Sequence, residues 1–285
     1  MTKTSKIVLA ILAVLVLGVL GGTVGANVFG GNKGATAASS VSAQGSFIDD
    51  IKKRGELRVG VAIAPPMTTQ QPDGTLGGPN LIPLEELAKQ LGVKLVPVAA
   101  EWKNIVAGLQ ANRYDFAANL DYTVERSLAI SFTNPVYEYP GVFVVKANAP
   151  FTTSDQVISS GSQIATAQGA APEATLKGLT GNIMPMDSYS NAISAIQAGR
   201  AVAEFTDLPT AESQAQADSS LKIIVPKPEI YSGTAAYGVP AGIDARSMQI
   251  VNIAIERAQK SGTLAQAYAK VNYFEVNNLG DLAKK

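Results

Sequence analysis

From Leu57 onward the chain alternates short apolar runs with segments of helical spacing, and few architectures accept that order. Leu57 to Ile63 reads as a strand, stopped by Pro65-Pro66, and Pro72-Asp73-Gly74 marks a turn. Leu81 to Leu91 has helical spacing with Gly92 as its stop, and Val93 to Val98 is a second strand. Trp102 to Ala111 is a helix with Ile105, Val106 and Leu109 on one face, and Tyr114 to Leu120 a third strand. A β-α-β-α-β order implies a mostly parallel sheet covered by helices on both faces.

The pattern then returns. Strands are expected at Gly141–Lys146, Gln163–Ala167, Val202–Phe205, Leu221–Val225 and Tyr237–Pro240. Helices are expected at Ala171–Leu179, Tyr189–Ala198 and Ala245–Ser261. Two α/β units in tandem suggest two lobes with a cleft between them. Ligands of open α/β sheets bind beyond the carboxyl ends of the strands, so the loops there carry the candidate residues.

The N-terminus speaks for export. Lys3 and Lys6 precede an apolar run from Ile7 to Leu20, the pattern of a secretory signal. Val24-Gly25-Ala26 and Ala35-Thr36-Ala37 offer cleavage sites. Ile7 to Phe29 is also uncharged and long enough to serve as an uncleaved anchor. Both readings place the rest of the chain outside the cytoplasm, periplasmic or extracellular, either free or tethered to the inner membrane. Residues 1–29 are therefore read as signal peptide or signal anchor. Residues 30–46, rich in Gly, Ala and Ser, are read as a flexible linker.

Composition removes whole classes of chemistry. The 285 residues contain no Cys and no His, which excludes thiolate and His-ligated metal sites, disulfides and Ser-His-Asp catalysis. Lys plus Arg equals Asp plus Glu at 23 each, so charge gives no reason to expect nucleic acid. No Gly-rich phosphate motif follows a strand. No cofactor and no metal are expected.

Several segments, taken in order, resemble the bacterial polar-amino-acid solute-binding proteins. Leu57-Arg58-Val59-Gly60 followed by Pro65-Pro66 resembles their opening. Trp102 through Asp115 fits their helix-plus-strand segment without a gap. Thr123-Val124-Glu125-Arg126 and then Phe132-Thr133-Asn134-Pro135-Val136-Tyr137-Glu138 resemble "T-P-E-R … F-S-x-P-Y-Y". Asp187 through Asp207 and Ala258 to Ala269 resemble the second-lobe stretch and the C-terminal helix. The resemblance covers about Phe47 to Phe274. It implies a two-lobed α/β fold, periplasmic-binding-protein-like of type II, with two crossing hinge strands near Tyr139–Val142 and Thr234–Tyr237. Lobe 1 would be residues 47–140 and 236–285, and lobe 2 residues 141–235. It further implies a monomer that closes around an amino-acid-like ligand and delivers it to an ABC transporter permease. Contact with a membrane would come only through the N-terminal segment or the permease.

Carried over residue by residue, the resemblance assigns Arg126 to the ligand's α-carboxylate, which a planar guanidinium can grip with two parallel hydrogen bonds. Read without its neighbours, Arg126 would be a surface residue paired with Glu125 or a helix end. Asp207 would hold the α-amino group, although the same position suits an N-cap for a helix around Thr210–Gln214. Trp102, the sole Trp, would pack on the ligand or simply fill the core. Asn119 and Asp121 stand where the family places small donors beside the carboxylate. An Asp there would repel a ligand carboxylate unless paired; it could pair with Arg126 or reach an extra cationic group. Met67 stands where an aromatic is usual, Asn80 and Ile82 replace a pair of Asp, and Ala170-Ala171 replaces Ser-Thr, leaving at Ala171 a backbone N–H for the ligand. Two other readings remain open: a membrane-anchored ligand sensor, and an enzyme akin to the cyclohexadienyl dehydratases, with Asp121, Glu173 and Asp207 as acid and base.

Overall fold

A computed structural model describes residues 45–273. The signal segment, nearly all of the linker and the end of the chain from residue 274 lie outside the described residues.

The described chain begins with α1 (Ser46–Arg54), then β1 (Glu56–Val61), a small hairpin of β2 (Thr69–Gln70) and β3 (Leu76–Gly77), and α2 (Ile82–Leu91). Gly92 ends α2 in the left-handed conformation, φ 69°, and its N–H caps the carbonyls of Ala88 and Lys89. β4 (Lys94–Ala99), α3 (Ile105–Gln110), β5 (Phe116–Asp121), α4 (Val124–Ser127) and β6 (Ser131–Phe132) follow. β7 (Tyr137–Lys146) leads into α5 (Ser154–Ser159), β8 (Ile164–Ala167), α6 (Ala171–Leu179), β9 (Ile183–Met186) and α7 (Tyr189–Gln197). The chain continues with β10 (Ala203–Asp207), α8 (Leu208–Ala217), β11 (Leu221–Ile224), β12 (Ser232–Val239), α9 (Ala245–Lys260) and α10 (Thr263–Lys270).

Hydrogen bonds link the strands in the order β4-β1-β5-β12-β7-β10-β8-β9, with β6 on β12 and β11 on β7. β4, β1 and β5 are parallel, as the β-α-β reading requires, and so are β10, β8 and β9. β7 serves both halves. Its residues Tyr137–Pro140 pair with Ser232–Ala235 of β12, and Gly141–Val145 pair with β10. β7 thus changes partners between Pro140 and Gly141. The return passes into β12, which already pairs with β7 at Ser232 and with β5 from Ala235.

Three apolar clusters belong to single lobes. One lies around Leu57, Val59, Leu84, Phe116 and Tyr237, and two flank β7 and β10. A fourth joins the lobes: Trp102, Ile105, Tyr114 and Leu120 pack with Ala167, Ala170 and Tyr189.

The sequence reading differs from the structure in three informative places. The expected helix from Trp102 starts only at Ile105, because Trp102–Asn104 form a turn closed by the Asn104 N–H on the Glu101 carbonyl at 2.9 Å. That turn presents the indole to the second lobe. β7 begins four residues before the expected Gly141. The strand changes partners between Pro140 and Gly141, within the stretch Tyr139–Val142 expected to cross between the lobes. Finally, the C-terminal helix is two helices, broken at Ser261-Gly262.

Candidate functional site

The carboxyl ends of β5 and β10 meet from opposite lobes, and the space between them is nearly closed. Trp102, Asn119, Asp121, Tyr137 and Tyr139 face Ala170, Ala171, Tyr189 and Asp207 around a cavity of ≈ 10 Å³, about the room one water needs.

Asp121 is the last residue of β5 and is 5 % exposed. Its Oδ2 accepts from the Tyr139 hydroxyl at 2.6 Å, whereas its Oδ1 meets no donor among the described residues with hydrogen-bond geometry. Burial raises the Asp121 pKa, and the Tyr139 hydroxyl, the nearby Arg126 charge and the Tyr231 hydroxyl work against that rise. Asp207 ends β10 and is 6 % exposed. Its Oδ1 accepts from the Thr210 N–H at 2.8 Å, so it caps α8 as well as lining the cavity. Burial pushes its carboxyl up to about 6, with Thr210 opposing and Asp121 adding to the rise.

Asn119 takes the left-handed conformation, φ 59°, which Asn tolerates better than most residues. Its Oδ1 accepts from Asn80 Nδ2 and from the Tyr137 hydroxyl, each at 2.6 Å. Asn80 is itself buried, accepting from the Tyr268 hydroxyl at 3.0 Å. The expected pair of Asp is thus replaced by an amide network that fixes Asn119 and Tyr137.

Arg126 is not in the cavity wall. It is held by α4, where Thr123 Oγ1 accepts the Arg126 N–H at 3.1 Å. Its Nη1 donates to the Asp121 backbone carbonyl at 3.2 Å, and its Nη2 reaches across the cleft to the Gly169 carbonyl at 2.8 Å. Of the two possibilities open for Asp121, pairing with the Arg126 guanidinium is not what is seen; the guanidinium bonds these two carbonyls. Gly169 adopts φ +80°, and a Cβ there would come within 2.6 Å of the Lys103 backbone in the other lobe. Glu173 Oε2 accepts the Gly169 N–H at 2.7 Å, and Oε1 pairs with Lys177 at 2.8 Å, so Glu173 holds this turn and does not face the cavity. Lys103 Nζ bridges to Asp187 at 2.7 Å on the exposed rim. The rim pair contributes little in water. Burying an aromatic such as Trp102 between the lobes contributes on the order of 2–3 kcal/mol.

Met67 belongs elsewhere. It is 1 % exposed in the lobe-one core with Leu81 and Leu84, and its carbonyl accepts from the Asn80 N–H at 3.3 Å. Sequence reasoning missed Tyr137, Tyr139 and Tyr189. The first two occupy alternate positions of one strand and so share one face, a signal legible in Tyr137-Glu138-Tyr139. Tyr189 opens α7 directly after its Ser188 cap, and nothing local marked it.

Among the described residues no cluster of acids could hold a metal, and no helix is long and apolar enough to cross a membrane.

The chain is 26 % identical over 189 residues to a protein of Sinorhizobium fredii named a probable amino-acid ABC transporter periplasmic-binding protein; the match covers 63 % of this chain and 62 % of the relative. It is 30 % identical over 178 residues to a probable amino-acid ABC transporter-binding protein of Haemophilus influenzae, covering 61 % of this chain and 68 % of the relative. Its fold superposes, with a TM-score of 0.72 and 25 % identity, on the crystal structure of an ancestral amino acid-binding protein that is a precursor of cyclohexadienyl dehydratase, over 79 % of this chain and 99 % of that one. These neighbours are two-lobed binding proteins of type II. With the family model matching residues 57–274, the chain belongs to the bacterial extracellular solute-binding proteins, family 3.

Proposed function

We propose that this protein captures a small zwitterion, an amino acid or close relative, outside the cytoplasm and delivers it to an ABC importer. One observation carries this reading: a small, nearly closed cavity has a buried carboxylate from each lobe on its wall, and an Arg guanidinium links Asp121 to Gly169, the residue before Ala170 of that wall. In this reading Asp207 takes the ligand's ammonium group. Arg126 spends donors on two carbonyls and keeps others for a carboxylate. The Ala171 N–H, at the start of α6, offers that carboxylate a second anchor. Trp102 closes over the side chain. The lobes, 47–140 with 236–285 and 141–235, close about the two strands that join them. The protein works as a monomer, with residues 1–29 directing export or anchoring the chain to the membrane.

Native mass spectrometry of the purified protein, followed by calorimetric titration of whatever co-purifies, tests the reading. A bound amino acid or amino-acid derivative is expected. The likeness to a dehydratase precursor favours a second reading, in which Asp121 and Asp207 act as acid and base on a cyclohexadienyl acid. Glu173, engaged by Gly169 and Lys177, is a poorer candidate. Turnover of such an acid would establish the enzyme and displace the binding role.

A further inference from the structure

The wall of the cavity contains two carboxylates and no cationic side chain. A ligand with a single ammonium group would satisfy Asp207 and leave Asp121 facing it with an unmatched charge. Asp121 is more than nine-tenths buried, and its Oδ1 meets no donor among the described residues. Of the charged groups near it, Asp207 has the same sign, and Arg126 turns to the Asp121 backbone carbonyl and to Gly169, making no hydrogen bond to the carboxylate. A buried carboxylate with an open acceptor is costly unless an N–H or a cation meets it. The rest of the wall suits a cation. Tyr137, Tyr139, Tyr189 and Trp102 surround the space with aromatic rings, whose faces attract ammonium and guanidinium groups.

We infer that Asp121 is a specificity-determining residue that selects, among amino-acid-like ligands, those carrying a second cationic group. The ligand class is a diamino or guanidino acid: α-carboxylate to Arg126, α-ammonium to Asp207, and side-chain cation to Asp121 within the aromatic ring wall. The inference rests on the zwitterion reading above and narrows it. A neutral side chain would bury the Asp121 charge unpaired, so rejection of neutral amino acids follows from the same geometry.

The test is calorimetric titration of the purified full-length chain with two matched pairs of probes. L-Ornithine is compared with L-norvaline, which lacks its side-chain amine. L-Arginine is compared with L-citrulline, its uncharged isostere. In at least one pair the cationic member is expected to bind about 30-fold tighter or more, as for a buried charge deprived of its partner. Asp121→Asn, and Asp121→Ser as a smaller replacement, should collapse that ratio to a few-fold, with a thermal melt confirming that each variant folds. Asp207→Asn should weaken both members of the pair. Equal binding of the cationic and neutral probes to the native protein overturns the inference and leaves the zwitterion reading standing. A cationic preference that survives both Asp121 substitutions overturns the assignment to Asp121. Failure of all four probes, together with a co-purified ligand that is no amino acid, overturns both readings at once.

Discussion

Replacing Asp207 with Asn should make the ligand-free protein more stable while disabling it. Burial lifts this carboxyl from 3.8 to about 6. The folded protein therefore holds the proton more tightly than the unfolded chain. Stability from this group is fully present below pH ~4 and is lost as pH rises through about 6. At about 1.36 kcal/mol per pH unit, the gap amounts to about 3 kcal/mol carried as a penalty at pH 7.5. Asn removes the charge and keeps the cap, because its Oδ1 can still accept the Thr210 N–H and Asn caps helices as well as Asp does. Asp207→Asn should thus gain up to about 3 kcal/mol at pH 7.5, or roughly 6–12 °C in thermal midpoint for a chain of this size. At pH 4, where the wild-type carboxyl is protonated in the fold, most of the difference should vanish. Ligand affinity should fall about 30-fold or more, because the ammonium group loses its counter-charge. Thermal unfolding at the two pH values and calorimetric titration at pH 7.5 read the two effects. A variant less stable than wild type at pH 7.5, or a gain of equal size at pH 4, would refute the reasoning.

Other substitutions probe separate parts of the molecule. Gly169→Ala places a methyl against the Lys103 backbone, so it should hold the lobes apart; small-angle scattering at saturating ligand should show a larger radius than wild type, and unchanged scattering would count against the contact. Arg126→Ala should stay folded, lose the link to Gly169 and weaken binding of a carboxylate-bearing ligand about 30-fold or more; equal affinity would remove the carboxylate assignment. Glu204 is fully buried in lobe 2 and burial raises its pKa well above the usual carboxylate range, so Glu204→Gln should raise the urea midpoint at pH 7.5 and change it little at pH 4.

The alternation of strands and helices was readable because both periodicities are strong in this chain, and Gly92 and Asp207 punctuate it with recognisable stops. The end of β7 at Lys146 was readable, but its start at Tyr137 was not, since the first four residues owe their strand to pairing with β12, a partner about 95 residues away. Asp207 was found twice over, as N-cap and as cleft residue, and the structure gives it both positions. Asp121 was visible only as an oddity. Its meaning depends on Tyr139 occupying one oxygen and on Arg126 turning to two carbonyls, contacts between residues 5 to 43 positions apart that no local pattern encodes. Met67 was named because the resemblance puts an aromatic there, but its side chain packs in the apolar core with Leu81 and Leu84.

β7 has one more consequence. It runs from Tyr137 to Lys146 without a loop, although its two ends serve different halves of the sheet. The joint of this molecule is therefore a length of ribbon, and ribbon bends by twisting. Tyr137 and Tyr139 stand on the last turns of that ribbon before Pro140 and Gly141, with their rings against the cavity and their hydroxyls on Asn119 and Asp121. Torque applied to either half is delivered to those two rings and, through them, to the acids and amides that grip the guest. In the capture reading, a few degrees of twist along this one strand would loosen that grip from within.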